Sequence, residues 1–169
     1  MTHSDQPQPL RKQGHAHALV ARARKQDEAA QIGIDPGYVD ALVEAFYARV
    51  RDDALIGPIF AARIADWGPH LARMKMFWRT ILLNSGEYSG NPMRLHTAIP
   101  DLDEAHFARW LELFYATLNE LGGTPEARTV VGEKARMIAD SMLTGIALHH
   151  GGPHPLSGAR AGANLPRIA

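Results

Sequence analysis

From Asp35 to Ile146 the apolar side chains of this chain return at steps of three and four, and no stretch sustains alternation at steps of two. Residues that share a face every 3.6 positions belong to helices; residues that share one every second position belong to half-buried strands. The pattern therefore restricts the chain to an all-α architecture. Asp35 stands where an N-cap belongs and Pro36 where a first helical residue belongs, and Val39, Leu42, Val43, Phe46, Tyr47 and Val50 then line one face. Gly57-Pro58 breaks the chain before an apolar knuckle at Ile59-Phe60. Asp66 caps a second helix, whose stripe runs Trp67, His70, Leu71, Met74, Phe77, Trp78, Ile81 and Leu82. Asn91 and Pro92 open a short helix bearing Met93 and His96, limited by Pro100. Asp103 caps a third long helix with Phe107, Trp110, Leu111, Phe114, Leu118 and Leu121, stopped by Gly122-Gly123. Thr124-Pro125-Glu126 opens a fourth, with Val131, Ala135, Ile138, Met142 and Ile146 on one side. Four long helices in roughly 115 residues enclose one core.

The ends differ from this middle. Residues 1–33 read as an extension, flexible or partly helical, with Leu19 and Val20 as the bulky apolar groups of its Ala- and Arg-rich half. Residues 34–148 form the domain. Residues 149–169 hold Gly151, Gly152, Pro153, Pro155, Gly158, Gly162 and Pro166 and read as a disordered tail. The basic start lacks the apolar core of a secretory signal, and Asp27 and Glu28 weaken a transit-peptide reading of Arg22 and Arg24. No run of apolar residues is long enough to span a membrane. Lys and Arg number 18, as do Asp and Glu, so nothing electrostatic draws the chain to nucleic acid or to an anionic membrane. The expectation is a soluble, cytoplasmic protein, monomeric or weakly self-associating.

Cysteine is absent. That removes disulfides, thiolate nucleophiles, iron–sulfur clusters and thiolate-ligated haem, so a metal must be held by His, Met, Asp, Glu or Tyr. Six of the nine histidines (His3, His15, His17, His149, His150 and His154) fall in the tails and read as solvated. His106 lies beside Asp103 and Arg109 and reads as surface. His70 and His96 point inward from different helices. Each is satisfied by a backbone carbonyl in the plainest account. A non-haem metal pair is the second account, but it lacks a carboxylate on the same faces. A haem pocket is the third: one imidazole binds iron, and Phe46, Phe60, Met74, Phe77, Trp78, Met93, Phe107 and Phe114 are available as walls, as they are for any helical core. Tyr47 and Trp110 are inward as well, and their O–H and N–H need partners, which a carbonyl or an iron-bound diatomic ligand supplies.

Phe46-Tyr47, Gly57-Pro58-Ile59-Phe60, Trp67-Gly68-Pro69-His70-Leu71, Phe77-Trp78, Tyr88-Ser89-Gly90-Asn91-Pro92-Met93, His96, Phe107, Trp110-Leu111, Phe114 and Ala139-Asp140-Ser141 occur in the order of a truncated haemoglobin. Over residues 34–148 the chain resembles the third group of that family. The resemblance implies a shortened globin, a two-over-two helical sandwich binding haem b (iron protoporphyrin IX). It implies His96 as the proximal iron ligand, Tyr47 and Trp110 as distal hydrogen-bond donors, and His70 as a distal gate. Phe60 packs on the porphyrin in that scheme; Met74, one turn after His70, is a wall residue or a competing sixth ligand and is read as wall, with Phe77, Trp78 and Met93 as further walls. The ligand is then oxygen, nitric oxide or carbon monoxide. Two donors to one ligand slow its release, which favours detoxification or sensing over simple oxygen delivery. A reductase partner is expected to keep the iron ferrous. A peroxidase-like or nitric oxide dioxygenase enzyme is the alternative, although no inward arginine is evident near His70, Arg73 being displaced from the inner line by Met74. A cofactor-free helical interaction module is a third class, excluded if the protein is red.

Overall fold

A computed structural model of the protein describes residues 10–151 and 161–169, the side chains of 10–15 apart. The expectations for His3, His15 and His154 lie outside the described residues. The elements are α1 (Leu10–Gln31), α2 (Pro36–Asp52), α3 (Gly57–Ala61), α4 (Trp67–Leu83), α5 (Pro92–Thr97), α6 (Glu104–Leu121) and α7 (Pro125–His149), with no strand among the described residues. The helix starts follow from side-chain chemistry. Asp35 Oδ1 accepts from Tyr38 N at 2.7 Å, Asp66 Oδ1 from Gly68 N at 2.9 Å, and Asn91 Oδ1 from Arg94 N at 3.0 Å. Asp103 and Thr124 cap α6 and α7 in the same way. Each cap satisfies an amide that the helix leaves without an internal partner.

Helix α2 packs against α4 and α6, and α6 against α7, which gives the paired arrangement expected from the sequence. The α2 stripe from Val39 to Val50 is buried along its whole length, as are Phe107, Leu111, Phe114 and Leu118 of α6. The α4 stripe divides. Trp78, Leu82 and Leu83 enter the core, whereas Trp67, His70, Met74 and Phe77 are only half-buried. His70, Met74 and Phe77 border a cavity, whereas Trp67 packs on Tyr47, Phe60 and His70.

The described part of the N-terminal extension is helical, one of the two forms expected of it. Helix α1 runs 22 residues and is largely exposed, but its second half is tied down: Lys25 Nζ donates to the Ile81 carbonyl, Arg22 lies against Gly86, and Ala29 is buried. At the other end the expectation of a disordered tail is corrected for residues 161–169. Leu165 is buried, Ile168 packs on Gly132, and the Tyr115 hydroxyl donates to the Pro166 carbonyl at 3.0 Å. Arg136 of α7 donates to the Gly162 and Leu165 carbonyls, and Gly162 N donates to Asp140 Oδ1 at 3.1 Å. Two apolar side chains and a set of backbone bonds hold this segment on α6 and α7 despite its composition.

Candidate functional site

A cavity of about 410 Å³ opens between α2, α3, α4, α5, α6 and α7. That size suits a small molecule with a large apolar surface. Tyr47, Phe60, His70, Met74, Phe77, Trp78, His96 and Trp110 all border it. His96 comes from α5, which packs on α7, whereas Tyr47, Phe60 and His70 come from α2, α3 and α4, which pack on one another. The imidazoles therefore approach from different walls.

The His96 ring is oriented by its own helix. Its Nδ1 lies 2.7 Å from the Pro92 carbonyl oxygen. A carbonyl only accepts, so Nδ1 carries the proton and Nε2 keeps its lone pair. Metal-binding histidines are prepared in this way, with the second nitrogen donating to a fixed acceptor. Pro92 has no N–H and starts the helix, and Asn91 caps it, so a six-residue helix is enough to present one side chain.

The opposite wall is largely aromatic, with Arg63 and Arg73 at its edge. The Tyr47 ring meets His70 edge-on at 5.2 Å. Burial pushes the Tyr47 phenol well above its ordinary pKa, so it stays protonated and can donate. His70 Nε2 is buried with no hydrogen-bond partner among the described residues. Burial first, and then the neighbouring Arg73 guanidinium, push the His70 pKa below its usual value, which favours the neutral ring. Trp110 lies face to face with Phe114 at 5.3 Å while lining the cavity, so stacking fixes the plane from which its indole is presented.

Three expectations change. Met93 does not border the cavity; it is packed against Gly145 of α7 so closely that a β-carbon there has no room. Helix α5 is less than two turns long, too short for periodicity to tell its cavity side from its α7 side. His106 is half-buried: its Nδ1 lies 2.6 Å from Asp103 Oδ1, within the cap of α6, and it borders the cavity. Arg73, expected to be displaced by Met74, reaches the cavity, and so does Arg63, which the sequence reading missed. Both are otherwise exposed, and no periodic signal marks them. Tyr88, which edges onto Phe77 at 5.2 Å, and Ile99 and Leu102 also line the cavity from connecting segments.

A single imidazole with a bare Nε2, an apolar and aromatic enclosure, and an orphaned buried nitrogen across from it fit a flat prosthetic group carrying a metal with an open coordination position. They do not fit an ion held by protein groups alone, since no group of three His, Cys, Asp or Glu able to hold a metal occurs among the described residues. No protein-family model matches the chain. It is 37% identical over 102 residues to the group 3 truncated hemoglobin ctb of Campylobacter jejuni, an alignment covering 58% of this chain and 80% of that protein. The crystal structure of the group III truncated hemoglobin from Campylobacter jejuni superposes with a TM-score of 0.63 at 34% identity, covering 72% of this chain and 96% of that one. An all-helical shortened globin built around this cavity belongs to the group III truncated haemoglobins.

Proposed function

We propose that residues 34–148 bind haem b through His96 and hold a diatomic ligand tightly on the Tyr47–Trp110 side, in detoxification or sensing of nitric oxide, oxygen or peroxide. The observation that carries this reading is the bond from His96 Nδ1 to the Pro92 carbonyl, which leaves Nε2 as the one prepared metal ligand on α5. When bound, haem supplies an iron with an open position for the gas. The chain supplies the rest. Phe60, Met74, Phe77 and Trp78 enclose the ring and exclude water. Arg63 and Arg73, which border the cavity, would pair with the carboxylates of haem. Tyr47 and Trp110 offer an O–H and an N–H to the ligand atom that gains negative charge, and such bonds are worth about 1.5–3 kcal/mol each. Met74 acts as wall, and His70 as a gate. A reductase, or a small reductant, keeps the iron ferrous between encounters.

His96→Ala tests the reading. The variant is expected to lose haem or bind it far more weakly, and added imidazole is expected to restore the ferrous spectrum by filling the gap. Unchanged haem content with an unchanged ferrous spectrum overturns it. One observation favours a second reading, a peroxidase-like enzyme. A neutral imidazole with an unpartnered nitrogen and a guanidinium from Arg73 share the cavity, and that pair can move a proton on peroxide and stabilise its leaving oxygen. Peroxide turnover abolished by His70→Ala is its mark.

A further inference from the structure

We propose that Trp67 is a positioning residue for His70: held by Arg51, it keeps the imidazole turned into the cavity and so sets how readily the distal gate opens. This rests on the reading of His70 as a gate. The reason to look for an outside hold is that His70 does not hold itself. Its Nε2 is buried without a hydrogen-bond partner, and a buried polar atom left in that state favours moving to water. Something else stabilises the inward ring. Trp67, Tyr47 and Phe60 surround it edge-on, with centroids at 5.6, 5.2 and 6.4 Å. Tyr47 is buried in the core and Phe60 sits on α3, whereas Trp67 is the first residue of α4, one turn before His70, and only half-buried. Phe60 is half-buried too, and Trp67 packs on Tyr47 as well as on His70. Its own plane is set from two directions: it lies nearly parallel to Phe60 at 6.5 Å, and the Arg51 guanidinium sits 4.9 Å from its ring centroid. A cation over an indole is the strongest of the cation–π pairings. Arg51 belongs to α2, so the contact ties the start of α4, one turn before His70, to the end of α2.

Carbon monoxide binding to the ferrous, haem-loaded full chain reads the gate by stopped-flow association and by the infrared C–O stretch. Trp67→Leu is expected to raise the association rate about three- to tenfold, the population change that follows from losing one aromatic contact. It is also expected to add an infrared band from molecules with the imidazole turned out. Trp67→Phe should restore both towards wild type. Arg51→Gln, at an exposed position that does not threaten folding, should act in the same direction with smaller size. In a His70→Ala background, Trp67→Leu should add nothing, because it acts only through the imidazole. Wild-type rates and a wild-type band in both Trp67→Leu and Arg51→Gln overturn the proposal. So does a full-sized Trp67→Leu effect in the His70→Ala background, which makes Trp67 a barrier in its own right. If His70→Ala alone leaves association unchanged, the gate reading itself fails, and that result is separable from the other two.

Discussion

An imidazole set among aromatic rings is useful in one protonation state, and the surroundings of His70 select the neutral one. Burial and then Arg73 lower its pKa in the folded protein, so between that value and the unfolded value of about 6.5 the unfolded chain binds more protons. Stability then rises with pH: this contribution is complete above about pH 6.5 and shrinks as the pH falls towards the folded value. Denaturant midpoints of the haem-loaded protein should therefore drop on acidification below pH 6.5, less steeply in His70→Gln. Parallel slopes in the two proteins count against a buried neutral imidazole. Tyr47 shows the complementary case, a phenol that burial keeps protonated and thus always a donor. Tyr47→Phe retains the ring and its contact with His70, and should speed oxygen dissociation about ten- to a hundredfold, from 1.5–3 kcal/mol at roughly 1.4 kcal/mol per decade. Trp110→Phe should act in the same direction, and the two together should fall short of their sum because they share one acceptor. Unaltered dissociation in both single variants refutes the assignment of the donors.

Helix boundaries were legible because capping is local chemistry: Asp35, Asp66, Asn91, Asp103 and Thr124 each cap the helix that the sequence assigned to them. The corner between α2 and α3 was not legible, since it depends on a residue far along the chain. Asp53 accepts from Leu55 N and Ile56 N at 3.0 Å through Oδ1, and from Arg109 Nε of α6 at 2.7 Å through Oδ2. Asp53→Ala leaves those amides and the guanidinium without their acceptor, and should lower stability by about 1–3 kcal/mol in chemical denaturation with little effect on the haem spectrum. The cavity wall divided along the same line. Tyr47, His70 and Trp110 lie on long helices whose apolar period identifies the inner face, so they were readable. Arg63, Arg73 and Tyr88 reach the cavity from exposed or irregular positions, where only tertiary packing says which way a long side chain turns.

Across the whole molecule α7 serves two neighbours at once. Ala139 and Met142 face the cavity, while Arg136 and Asp140 engage the segment 161–169. Leu165 anchors that segment, being 3% exposed. Leu165→Ala should cost about 2–5 kcal/mol, the range for emptying a packed leucine site, and lower the melting temperature while the protein still binds haem. A melting temperature equal to wild type would mean that the segment contributes no stability. Composition hid this docking: two apolar residues among glycines and prolines carry no periodic signal, and their worth depends on Gly132 leaving space for Ile168. A similar allowance governs the opposite side of the pocket. Helix α5 sits as close to α7 as it does because Met93 fills the place where residue 145 has no side chain. The depth at which His96 enters the cavity is thereby set from behind, by volume at residue 145, which lies outside the cavity lining. On the proposed role of His96, affinity is adjustable at the scaffold as well as at the chamber, and a survey of reactivity confined to the cavity lining misses one of the dials.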